Sequence, residues 1–62
     1  MDFEKDSRSD NWRVRINVAK KPNCPLHILE ILSRDENYWV RRAVAVNLNC
    51  SEEIRVAFIL EN

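Results

Sequence analysis

The stretch Val14-Arg-Ile-Asn-Val-Ala-Lys-Lys-Pro-Asn-Cys-Pro-Leu-His-Ile-Leu29 decides the architecture, because it occurs almost twice. Displaced by 26 positions, it falls on Val40-Arg-Arg-Ala-Val-Ala-Val-Asn-Leu-Asn-Cys-Ser-Glu-Glu-Ile54. With no gap, eleven of the thirty-six aligned pairs are identical, several times the chance expectation. They are Glu4/Glu30, Ser7/Ser33, Arg8/Arg34, Asn11/Asn37, Val14/Val40, Arg15/Arg41, Val18/Val44, Ala19/Ala45, Asn23/Asn49, Cys24/Cys50 and Ile28/Ile54. A fixed short period marks stacked supersecondary units, each too small to bury its own apolar face. The chain therefore divides into a truncated capping unit (1–10), a first repeat (11–36) and a second repeat (37–62).

Composition narrows what the units are made of. Glycine is absent and only two prolines occur in 62 residues, which favours helices with tight connections over hairpins. The 45% hydrophobic share is that of a folded chain. Ten basic and ten acidic residues cancel, which weighs against a partner held by net charge, since binding along a nucleic-acid backbone normally needs a basic footprint. No apolar run reaches the length of about 18 residues needed to span a membrane. The acidic start Met-Asp-Phe-Glu-Lys-Asp lacks a signal-peptide core, so the expected location is the cytoplasm. Cys24 and Cys50 hold one place in successive units. Stacked helices lie about 8–10 Å apart, beyond the roughly 7 Å Cα separation a disulfide tolerates. Two free thiols are expected.

The helix signals follow the same period. A first helix is expected from about Asn11 to Lys21, with Asp10 as N-cap, Val14 and Val18 on one face and Ala19 allowing close approach. Lys20 and Lys21 suit the negative end of its dipole, and Pro22 stops it. Pro25 is expected to open a second helix running to Arg34, with Cys24 at the cap. Ile28, Leu29 and Leu32 form its core face, widened by Leu26 and Ile31. The second unit repeats the plan. Val40, Ala43 and Val44 point inward, and Leu48 covers the helix end. A last helix from Ser51 to about Leu60 turns Ile54, Ala57 and Phe58 inward. At the amino terminus, Phe3 falls on Leu29, so residues 1–8 read as a terminal helix capping the stack.

The pattern Val-Arg-x-x-Val-Ala-x-x-x-Asn-Cys, followed by a Pro or Ser-Glu start and an Ile three or four residues on, resembles the leucine-rich repeat variant family. Its logic is close to that of HEAT-type helical repeats. The resemblance covers residues 7–62. It implies an all-α solenoid in which a longer helix alternates with a shorter one, often 3₁₀ in character, wound as a right-handed superhelix. The chain departs from the family in three places. Lys21 and Leu48 stand where an Asn-Pro-Asn run has Asn and Pro, and Arg55 and Phe58 replace the paired leucines at Leu29 and Leu32. Some members of the family carry a cysteine cluster for an iron–sulfur centre; nothing here matches one, so neither a cofactor nor a metal is carried over.

The candidate partner-binding residues are Trp12, Arg13, Arg15, Trp39, Arg41 and Arg42. The arginines recurring in Val-Arg, with their neighbours, read as a basic ladder gripping acidic protein or phosphates. They read equally as stems lying along the stack and pairing with Asp10, Asp35 or Glu36, the preferred interpretation. Trp12, Tyr38 and Trp39 form either a stacking platform or an inter-repeat seam. Trp12 and Tyr38, which align, are expected inside, and Trp39, aligned with Arg13, outside. His27 is alone; with only Cys24 nearby it falls short of a tetrahedral metal site. No nucleophile has an oxyanion hole, so no catalytic residue is assigned and no enzyme activity is expected.

Two and a half units make a thin stack with a marginal core. Ile16, Val46, Val56, Ile59 and Leu60 are left over once each helix has filled its inward face, and they are expected to cover themselves against a second copy or a partner. The expected role is a small protein-binding adaptor; the second reading is a nucleic-acid binder gripping the backbone through its arginines and tryptophans.

Overall fold

The computed structural model describes residues 1–61; Asn62, the last residue of the second repeat, lies outside them. Among the described residues there are five α-helices and no strand. They are α1 (Phe3–Asp6), α2 (Trp12–Lys20), α3 (Leu26–Leu32), α4 (Tyr38–Ala45) and α5 (Glu52–Glu61). The first helices of the two units, α2 and α4, lie side by side, with α3 in contact with both. Helix α1 leans on α2, and α5 on α4. The architecture is the helical repeat expected from the period.

Local chemistry sets the helix starts. Asn11 and Asn37, not the acid before them, are the N-caps of α2 and α4. Each holds an extended backbone, and its side-chain oxygen accepts from the amide two residues on, at 2.9 Å from Arg13 and 2.8 Å from Trp39. Asp10 was the expected cap; Asn wins because it stands one residue closer to the free amides of the first turn. Pro25 is likewise one place outside the helix it was expected to open, extended at φ −62° and ψ 147°. Cys24 is therefore not a cap but a buried connector residue whose thiol points at the Pro25 carbonyl, 3.8 Å away.

The core is built where the period placed it. Val18 and Ala19 of α2, Ile28, Leu29 and Leu32 of α3, and Val40, Ala43 and Val44 of α4 form one buried cluster with Cys24 and Cys50. Phe3, Trp12, Ile16 and Ile54 pack against it partly buried, so α1 does cover one end. Several outer positions differ from expectation. Leu26 and Ile31 are exposed, because a seven-residue helix seated between two neighbours offers only one inward strip, filled by Ile28, Leu29 and Leu32. Leu48 is 94% exposed; it lies in the turn after α4, outside the helix it was expected to cover. Ala57 is exposed, and Ile54 and Phe58 are half-buried, so α5 contributes no fully buried residue. The second helices are α-helical rather than 3₁₀, and in the second unit the later helix, at ten residues, is the longer of the pair.

Candidate interaction groove

The two motif arginines sit at the seam between units, and their bonds repeat with the sequence. Arg15 donates from Nε to Asp35 Oδ2 at 2.7 Å, from Nη2 to Asp35 Oδ1 at 3.2 Å and from Nη1 to the Ser9 carbonyl at 2.6 Å. Arg41 donates from Nε to Glu61 Oε1 at 2.9 Å and from Nη1 to the Asp35 carbonyl at 2.7 Å. Each arginine thus binds a carbonyl six residues back, at the end of the preceding unit, and a carboxylate 20 residues on. Asp35 serves both: its side chain takes Arg15 and the Asn37 amide, and its carbonyl takes Arg41. The Arg15–Asp35 side chains are 13% and 8% exposed, so the pair is shielded, and the hydrogen bond to Asp35 pushes the Arg15 guanidinium even further above its usual range. Of the three acids available to Arg15 in sequence, geometry selects Asp35.

A second seam was not read from the sequence. The Asn47 amide is buried and donates from Nδ2 to the Ala19 carbonyl at 2.7 Å and to the Lys21 carbonyl at 2.9 Å, while Oδ1 accepts from the Asn49 amide. Asn49 donates to the Pro22 carbonyl beside it. The second unit thereby gives the Ala19 carbonyl near the end of α2 a donor and adds a second one to the Lys21 carbonyl, which also accepts from the Cys24 amide. The signal lay in the resemblance read from the sequence, which implies Asn at this position; in the first unit Lys21 stands there, exposed. At the next corner Arg55 donates to the Ala45 and Asn47 carbonyls, both at 3.2 Å.

Of the remaining candidates, Trp12, Trp39 and Arg42 converge, while Arg13 is exposed and does not line the groove they form. Trp12, Ile16 and Lys20 of α2 and Trp39, Arg42, Ala43 and Val46 of α4 or its end line one groove of about 370 Å³. The α2 residues recur at i, i+4 and i+8, which places them in a row along one helix face. Trp39 is 53% exposed, as its alignment with Arg13 led us to expect, whereas Trp12 is only half-buried and Tyr38, expected inside with it, is exposed. The Arg42 guanidinium lies 5.7 Å from the Trp39 ring centre, and that of Arg13 lies 5.1 Å from Trp12. Such contacts hold the cations over the ring faces. Two cations and two tryptophans line the groove and no carboxylate does. Arg15 and Arg41 are not part of it. Tyr38 turns the other way, 5.6 Å from the Phe58 ring, with Arg41 over its face.

Other reactive groups are accounted for. Both thiols are free and buried, and burial pushes them above the ordinary range, an effect partly offset at Cys50 by nearby Arg55. His27 Nε2 lies 2.7 Å from Glu4 Oε1, joining α3 to α1 at the surface. Among the described residues no three His, Cys, Asp or Glu side chains gather as a metal site would require, and no helix is long and apolar enough to cross a membrane.

Two-helix bricks in register at 26 residues, joined by arginine–carbonyl and asparagine–carbonyl seams, define a helical repeat. The model of the leucine rich repeat variant family matches residues 12–37, so this segment is similar to a repeat of that family. Neither a curated protein nor a solved structure matches the chain.

Proposed function

We propose that the chain is a non-catalytic protein-interaction module, and that its ligand is an acidic, amphipathic segment of protein received in the groove between α2 and α4. The observation that carries this is the lining itself: Trp12, Trp39, Ile16 and Val46 supply apolar area, and Lys20 and Arg42 supply charge with no acid to neutralise it. Aromatic residues and arginine are the side chains over-represented where proteins bind tightly. A helical-repeat stack presents such a surface without folding anew on binding. Free buried thiols fit a reducing compartment such as the cytoplasm.

Backbone binding to nucleic acid is the weaker reading, because Arg15 and Arg41, which would extend a basic ladder, are already engaged by Asp35 and Glu61. Fluorescence titration decides between the two, using the groove tryptophans as reporters. A labelled amphipathic peptide carrying Glu and Leu at helical spacing should bind and be weakened by Trp39→Ala. Tight, steeply salt-dependent binding of duplex DNA with no peptide binding would reverse the assignment.

A further inference from the structure

Aligning the two units separates apolar residues the stack requires from those it does not. Val56, Ile59 and Leu60 of α5 are exposed, at 43%, 62% and 78%. Their counterparts 26 residues earlier are Glu30, Ser33 and Arg34. The repeat therefore builds this face polar in its first copy and apolar in its second. With Glu52 they form a ridge at i, i+4, i+7 and i+8, flanked by Glu53 and bearing no cation.

The ridge has the chemistry of the ligand proposed for the groove, and we infer that α5 of one copy docks in the α2/α4 groove of a second copy. This rests on the groove being a protein-binding site. Three observations select a second copy. First, polarity is reversed end to end. The groove has tryptophans where α2 and α4 begin and Lys20 and Arg42 towards where they end, while α5 begins with Glu52 and Glu53 and ends with Ile59 and Leu60. An α5 running antiparallel to α2 sets acids on cations and Leu60 on the tryptophans. Second, the spacing agrees: Glu52, Val56 and Leu60 advance by four, as do Lys20, Ile16 and Trp12 read backwards. Third, the ridge from Glu52 to Leu60 and the α2 wall from Trp12 to Lys20 each span nine residues, about 13 Å at 1.5 Å per residue. The formal net charge of zero leaves no overall repulsion between copies.

Groove and ridge are different surfaces, so the contact is heterologous and extends from copy to copy unless it closes into a ring. Sedimentation velocity of the full chain across a concentration series tests this. Mass should grow with concentration and fall with added salt. Leu60→Asp, which spoils the ridge, and Lys20→Glu with Arg42→Glu, which spoils the groove, should each weaken self-association by about tenfold or more. All three positions are exposed or at the groove rim, and circular dichroism should show their helices retained. Mixing the two variants should restore one good interface and stop at a one-to-one dimer. A wild type that stays monomeric at the highest soluble concentration, or variants that associate as well as wild type, or a mixture that does not pair, would overturn the inference. If the wild type is monomeric yet the acidic amphipathic peptide still binds, the groove reading stands and only its occupant is wrong; if neither associates, both fall.

Discussion

The two repeats share a backbone plan and diverge in what they do with apolar side chains. In the first, Leu29 and Leu32 of α3 are buried in the core. In the second, the same positions are Arg55, whose guanidinium turns to the last carbonyls of α4, and Phe58, half-buried against Tyr38. Outside, the bias is reversed. Trp39, Val46, Val56, Ile59 and Leu60 are exposed where the first unit has Arg13, Lys20, Glu30, Ser33 and Arg34. Both copies supply the core through their first helices, but only the first buries its second helix there, while the second carries additional apolar area on its surface. Once duplication has supplied the register, the copies are free to specialise.

Four measurements would break or sharpen this contrast. The largest effect is expected in the core of the first unit. Leu29→Ala should cost about 2–5 kcal/mol in urea unfolding, much of what so small a domain has. Its counterpart Arg55→Ala should cost about 1–2 kcal/mol, as befits lost capping bonds; equal losses would end the contrast.

Next come the equivalent seams. Asp35→Ala leaves the shielded Arg15 without its partner and should cost about 3 kcal/mol. Glu61→Ala, at the more open Arg41 pair, should cost roughly 1 kcal/mol or less. If salt screened both pairs alike, the shielding of the first would be disproved.

A smaller effect is expected at the connectors. Asn47→Ala should cost about 1–3 kcal/mol, since it strands the Ala19 carbonyl of α2, whereas Lys21→Ala should be nearly silent in the same unfolding assay.

The smallest concerns pH. Burial raises both thiols in the folded state, so stability should be level below the ordinary thiol range and decline as pH rises through the raised values, because the unfolded chain ionises first. Cys24→Ala should flatten that decline more than Cys50→Ala, as Arg55 offsets the effect only at Cys50. An unchanged alkaline slope in both variants would contradict it.

Much of this was legible in residues. Val18, Ile28, Leu29, Leu32, Val40 and Val44 were placed inside from period alone, because helical spacing and the 26-residue identity point to the same strip. The cap of α2 was misread as Asp10, although Asn11 and Asn37 are identical between the units while Asp10 and Glu36 are not. Leu26, Ile31 and Leu48 were misplaced because hydrophobicity says nothing about how wide a strip the neighbouring helices leave. The candidate site was half legible: Trp12, Trp39 and Arg42 do converge, but Arg15 and Arg41 carry the same charge and lie elsewhere.

By itself the sequence determined the brick, its length and the strip each helix buries, for these depend on contacts a few residues apart and on a repeat that any shifted alignment reveals. Only the tertiary structure decided that Arg15 binds Asp35 rather than Asp10 or Glu36, that Asn47 closes the end of α2, and that two tryptophans and two cations share one groove. Those choices join residues some 20 to 30 positions apart. They are fixed by the angle and spacing at which one brick rests on the next, which periodicity along the chain does not contain.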